Sequence, residues 1–154
     1  MGKYWSLDPD LTFLNHGSFG ATPNLVLDEQ HRLQTHLESD PVRFFERDAF
    51  ENMNRARLEL SEFLNADPDG MTFCQNATSG VNTVLRSLVL NQGDEIIVPN
   101  HSYQACWNAI DFVAARWGAK IVVVDLPFRC DSEEEIIEPL LAAISPKSVL
   151  VMID

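Results

Sequence analysis

Residues 71–81, MTFCQNATSGV, decide the fold. Met71-Thr72-Phe73-Cys74 is a short apolar run that predicts a buried strand. Gln75 to Gly80 replaces it with small polar residues. From Val81 the pattern turns helical, with Val81, Leu85, Leu88 and Val89 on one face. The segment therefore reads strand, polar turn, helix. A helix N-terminus carries unpaired N–H groups and a partial positive charge, which suits a phosphate. Small residues let the backbone approach that anion, and Thr78 and Ser79 add hydroxyl donors. The plainer alternative is that Thr78 serves only as an N-cap.

Outward from this stretch the same alternation repeats. Downstream, Glu95-Ile96-Ile97-Val98 is a second apolar strand, ended by Pro99 and followed by the polar loop Asn100-His101-Ser102-Tyr103. Ala105, Ala109, Phe112 and Val113 give a helical face, closed by Gly118, while Gly93 closes the preceding helix. Lys120 to Asp125 is a third strand, with a β-branched run of the kind buried on both faces. Asp131 to Glu135 is a solvated helix start rather than a metal site, Pro139 kinks or delays that helix, and residues 148–153 form a fourth strand. Residues 67–154 thus predict β-α-β-α-β-α-β: an α/β fold with a mostly parallel sheet and flanking helices.

Upstream, residues 1–22 are irregular, with Gly17 and Gly20 marking a tight path open to positive φ. Residues 23–66 predict two helices. The first starts at Thr22-Pro23 and ends before Asp40-Pro41. The second carries Ala49, Met53, Ala56, Leu60, Phe63 and Leu64 at spacings of three and four.

Composition bounds the function. The chain has 154 residues and a net charge of −12, which argues against a nucleic-acid or acidic-membrane surface. Cys74, Cys106 and Cys130 form no CxxC pair and no zinc spacing. No secretory h-region and no membrane-length apolar run is seen, so a reduced cytoplasmic protein is expected. Ligands of open parallel sheets bind outside the carboxyl ends of the strands. That edge carries Asn76 to Ser79, Asn100 to Tyr103, Asp125 and Asp154. A phosphate cradle beside a ring predicts a flat, phosphorylated ligand, with His101 or Tyr103 stacking on it. His101 reads equally well as a loop or capping residue.

Several stretches resemble the class V aminotransferase family of fold type I pyridoxal-phosphate enzymes, in its isopenicillin-N-epimerase-like and cysteine-desulfurase-like branch. They are Leu14-Asn15-His16-Gly17-Ser18-Phe19-Gly20, Pro41-Val42-Arg43-Phe44-Phe45, Asn76 to Asn82, and Asn100-His101-Ser102-Tyr103. They stand in the family's order and at about its spacing. The resemblance implies the N-terminal part of a large domain that binds pyridoxal phosphate. It implies that Ala77, Thr78 and Ser79 hold the cofactor phosphate. It also implies that Tyr103, narrowly preferred over His101, covers the pyridine face. Asn15, His16 and Gly17 border the substrate, and Arg43 lies near the active-site entrance. It implies an amino-acid or sulfur-containing amino-acid substrate and a homodimer. Epimerisation, transamination and C–S cleavage all remain open.

One part of the family pattern is missing. The chemistry needs a lysine that forms the internal aldimine and an acid that pairs with the pyridinium nitrogen. Lys120 and Lys147 start strands, at the wrong edge of a parallel sheet, and Lys3 lies in the irregular terminus. Both groups are expected beyond Asp154, with Asp154 itself the alternative for the acid. The chain is thus expected to be part of a longer enzyme, inactive alone. An exposed Ala49–Leu64 stripe and an uncovered last strand would accompany that. The alternative is a non-catalytic α/β half-domain that binds a phosphorylated ligand or a partner subunit. A nucleotide-binding domain is disfavoured by the lack of GxGxxG and GxxxxGK[ST].

Overall fold

A computed structural model describes residues 2–154, which divide into two compact units, one up to Thr72 and one from Phe73 onward. The first unit is helical. Helix α1 spans Asn24–Ser39. A single helical turn, α2 (Pro41–Arg43), runs into a π-helical turn over Phe44–Asp48 and then into α3 (Ala49–Leu64). The Asp40 side chain caps α2 by accepting the Arg43 N–H at 3.0 Å. Asn65, in the left-handed region at φ 50°, ends α3. The periodicity of Ala49–Leu64 thus finds its helix, but the stripe is not a core. Met53, Phe63 and Leu64 are more than half exposed, and Ser61 is the buried residue of α3.

Gly17 and Gly20 differ from the expectation. Neither is among the positive-φ glycines, which are Gly93 and Gly118. Gly20 is required for a different reason: a Cβ there would stand 2.9 Å from the His16 carbonyl oxygen. The glycine permits a close backbone approach rather than an unusual φ.

The second unit holds α4 (Ala77–Ser87), β1 (Glu95–Pro99), α5 (Gln104–Trp117), β2 (Lys120–Val124), α6 (Glu134–Ala142) and β3 (Ser148–Val151). The strands pair in parallel in the order β2-β1-β3. Central strand β1 is buried on both faces, with Ile96, Ile97 and Val98 at 0% exposure. Alternation sends Ile96 and Val98 to a cluster with Leu85 of α4 and Ala109, Ile110 and Val113 of α5. Ile97 faces the other way, toward Val124, Leu126 and Leu140 of α6. The sheet is therefore sandwiched between α4 and α5 on one face and α6 on the other.

Three expectations need correction. Residues 71–74 form no strand: Met71 is extended, at φ −108° and ψ 140°, but the run has no pairing partner among the described residues. An apolar run becomes a strand only when a neighbour takes up its N–H and C=O groups. The observed order is therefore α-β-α-β-α-β. Second, α5 buries Cys106, Ala109, Ile110, Val113 and Ala114, one position round from the expected face. Phe112 is half exposed beneath the Arg86 guanidinium, 4.7 Å from its ring centroid. Third, Gly93 does not end α4, which stops at Ser87; with φ 89° it turns the chain into β1. Gly118 does end α5, at φ 68°.

Candidate functional site

The carboxyl edge of the sheet is built from three strand ends and two helix starts. Helix α5 leaves β1 there and returns to the amino end of β2, so its first turn opens on that edge. Helix α4 leads through Leu90 and Gly93 into the amino end of β1, so its first turn points the same way. The cap of α4 is Asn76, not Thr78: its Oδ1 accepts the Ser79 N–H at 2.8 Å. Thr78 is the second helical residue and half-buried. The Gly80 N–H bonds the Asn76 carbonyl at 3.1 Å. Ala77 and Thr78 are thus left with first-turn N–H groups that have no acceptor among the described residues. Gly80 lets the turn lie close to the preceding segment, since a Cβ there would stand 3.3 Å from Cys74 Sγ.

The loop after β1 is tied to both neighbouring strands. The Asn100 amide donates to Asp125 Oδ1 and to the Leu126 carbonyl, and its Oδ1 accepts the Leu126 N–H at 3.2 Å. On the other side, Asp154 Oδ2 accepts the Tyr103 N–H at 2.7 Å. His101 and Tyr103 are both exposed between these ties, Tyr103 at 63%. The Ser102 hydroxyl oxygen is buried with no hydrogen-bond partner, a costly arrangement that a polar ligand or water would relieve. Cys106, one turn into α5, has its thiol pKa raised by burial first and by the Asp154 charge second.

The remaining candidates lie in the first unit. His16 packs edge-on against Phe13, with ring centroids 4.7 Å apart, and borders a cavity of about 570 Å³ with Trp5, Asp8 and Leu11. Asn15 is exposed, and its carbonyl accepts the Phe19 N–H at 3.1 Å; Gly17 stands in open space. The Arg43 guanidinium is largely exposed, with Nε 3.6 Å from Asp48 Oδ2, and that carboxylate also meets His36 Nε2 at 2.6 Å.

Sequence reasoning passed over Asn100 as a structural tie and Asn76 as a cap. Both carried a signal, since an Asn directly after a strand or before a helix bonds nearby backbone. Lys120 is the first residue of β2, and Lys147 directly precedes β3, so both stand at the amino edge. Among the described residues no group of His, Cys, Asp and Glu could hold a metal, and no helix is long and apolar enough to cross a membrane.

Comparison with known proteins gives this edge its context. The family model described as Aminotransferase class-V matches residues 15–154. Hercynylcysteine sulfoxide lyase of Schizosaccharomyces pombe is 30% identical over 133 residues, 86% of this chain and 34% of that protein. Isopenicillin N epimerase of Amycolatopsis lactamdurans is 32% identical over 152 residues, 95% of this chain and 37% of that protein. The chain thus spans about a third of the length of these relatives. The solved structure of the cystine C–S lyase C-DES with cysteine persulfide superposes with a TM-score of 0.82 at 24% identity. That match covers 93% of this chain and 38% of that one and is a likeness of fold. With the family model matched over almost its whole length, the chain belongs to the class-V aminotransferase family.

Proposed function

We propose that this chain forms the cofactor-phosphate end of a pyridoxal-phosphate-dependent enzyme acting on an amino acid or a sulfur-containing amino-acid derivative. The observation that carries the reading is the first turn of α4. Ala77 and Thr78 offer two N–H groups without acceptors at the edge toward which α5 and Tyr103 also open. The Ser102 oxygen, buried and unpartnered, supports a polar occupant of that edge. A solved relative of the same fold carries glycine covalently linked to its pyridoxal-phosphate cofactor.

In this reading the Ala77 and Thr78 N–H groups and the Thr78 and Ser79 hydroxyls would bind the phosphate, helped by the α4 dipole. Tyr103, with an exposed ring at the start of α5, would cover the flat face of the cofactor in preference to His101. Asn15, His16, Gly17 and Arg43 are assigned to the surroundings of the substrate. When bound, the cofactor supplies the electron sink for bond cleavage at an amino-acid Cα. Epimerisation, C–S cleavage and transamination are the reactions that fit. A homodimer belongs to the same reading, supported by the exposed apolar side chains Phe50, Met53 and Phe63 of α3. A reducing, cytoplasmic setting is supported by three free cysteines.

The test is a comparison of two ligands. Pyridoxal phosphate should bind the full chain about 100-fold more tightly than pyridoxal, because two N–H groups and the helix dipole act only on the phosphate. Thr78→Val should remove about tenfold of that preference by loss of one hydroxyl donor. Equal affinity for the two ligands would overturn the assignment.

A further inference from the structure

Backbone pairing between β1 and β2 ends just past the strands, where the Asn100 N–H donates to the Val124 carbonyl at 2.9 Å. From there the main chain turns away toward α5 and leaves the Leu126 N–H and C=O beyond the ladder. The Asn100 side chain takes them up. Its Oδ1 accepts the Leu126 N–H at 3.2 Å, and its Nδ2 donates to the Leu126 carbonyl at 3.4 Å and to Asp125 Oδ1. A side-chain amide has an accepting and a donating end, so it pairs with both backbone groups of a residue as a strand neighbour would; a carboxylate lacks the donating end. Leu126 is 5% exposed and packs with Ile97, Val124 and Leu140, so the tie is anchored in the core. His101 and Tyr103 follow directly on the same loop, both exposed and neither with a side-chain hydrogen bond among the described residues. The path of the backbone therefore decides where their rings stand.

We infer that Asn100 is a positioning residue: its side-chain amide extends the β1–β2 ladder through Leu126 and Asp125 and so fixes the loop from which the ring over the cofactor projects. The inference rests on the cofactor reading above and adds a residue to it. It holds whichever ring, Tyr103 or His101, covers the flat face, because both ride on that loop. The Nδ2 protons and Oδ1 are engaged within the protein, so the amide acts through the loop and not on the ligand.

Swapping Asn100 and Asp125 tests this in the full chain. Asn100→Ala removes the amide, and Asn100→Asp removes its donating end and sets two carboxylates against each other. The double variant Asn100→Asp/Asp125→Asn turns the same pair around and again offers the Leu126 N–H an oxygen. In the ligand-free protein, amide exchange at Leu126 should quicken about tenfold in Asn100→Ala, with Ile97 unchanged as the core control. In the double variant it should stay within about threefold of the unaltered protein. Pyridoxal phosphate should bind about tenfold more weakly to either single variant, with reduced visible circular dichroism, and the double variant should recover most of both. In a protein already carrying His101→Ala and Tyr103→Ala, adding Asn100→Ala should cost no further affinity, because it acts only through those rings. Unchanged exchange at Leu126 in Asn100→Ala would overturn the tie. Unchanged cofactor affinity in Asn100→Ala, with Leu126 exchange quickened, would overturn the positioning role. So would a double variant that regains Leu126 protection and not cofactor binding, since Asn100 would then act on the ligand itself. If the unaltered protein binds no pyridoxal phosphate, the functional reading fails, and exchange at Leu126 still decides the tie.

Discussion

At the residue scale, Cys106 gives the edge a measurable pH signature. Its thiol is 4% exposed in the first turns of α5, and burial followed by the nearby Asp154 charge raises its pKa above the ordinary 9.0. Below the ordinary value both folded and unfolded chains hold the proton, and the stabilisation is fully present. Above it the unfolded thiol ionises while the native one does not, so the unfolded state binds fewer protons and stability falls as pH rises. The loss continues until the native thiol also ionises. Urea unfolding between about pH 8 and pH 10 should therefore show a slope more negative than that of Cys106→Ala, by at most about 1.4 kcal/mol per pH unit for one proton. Parallel slopes would mean that the thiol is not perturbed. The face of α5 that buries Cys106 was legible only to within one position, and the Tyr103–Asp154 hydrogen bond was not legible at all. Nothing in local spacing announces a hydrogen bond across 51 residues.

At the element scale, β1 is the strand on which the second unit depends. Ile97 is fully buried on the α6 face, and Ile96 and Val98 on the α4–α5 face. Truncating Ile97→Ala should destabilise the protein by about 2–5 kcal/mol, with the cavity left beside Val124 and Leu140 adding to the lost transfer energy. The same truncation at Val149, half exposed on edge strand β3, should cost well under half of that. Denaturant melts of the two variants decide the ranking, and equal losses would contradict the two-face assignment. The strands at 95–99, 120–124 and 148–151 were legible because β-branched runs flanked by turn residues carry their own signal. The run at 71–74 was misleading because pairing depends on a neighbour that composition does not reveal. Likewise, the 49–64 periodicity specified a helix and said nothing of what covers its stripe.

At the scale of the whole molecule, the two edges of the parallel sheet carry different residues. A parallel sheet collects the ends of its strands on one side, and there the chain sets the α4 start, the 100–103 loop and Asp154. The 100–103 loop was legible as a carboxyl-edge loop because it follows a strand and precedes a helix, whereas the Asp154 acceptor of the Tyr103 N–H comes from another strand end and depends on three-dimensional closure. Lys120 and Lys147 stand at the other edge, roughly 17 Å away by the rise of a five-residue strand, too far for either amine to reach the carboxyl edge. The most direct test of the cofactor assignment is a crystal structure of the full chain grown with pyridoxal phosphate. The account predicts phosphate oxygens about 2.7–3.2 Å from the backbone nitrogens of Ala77 and Thr78, with the Tyr103 ring against the cofactor's flat face. A phosphate bound elsewhere, with the first turn of α4 left to solvent, would contradict it.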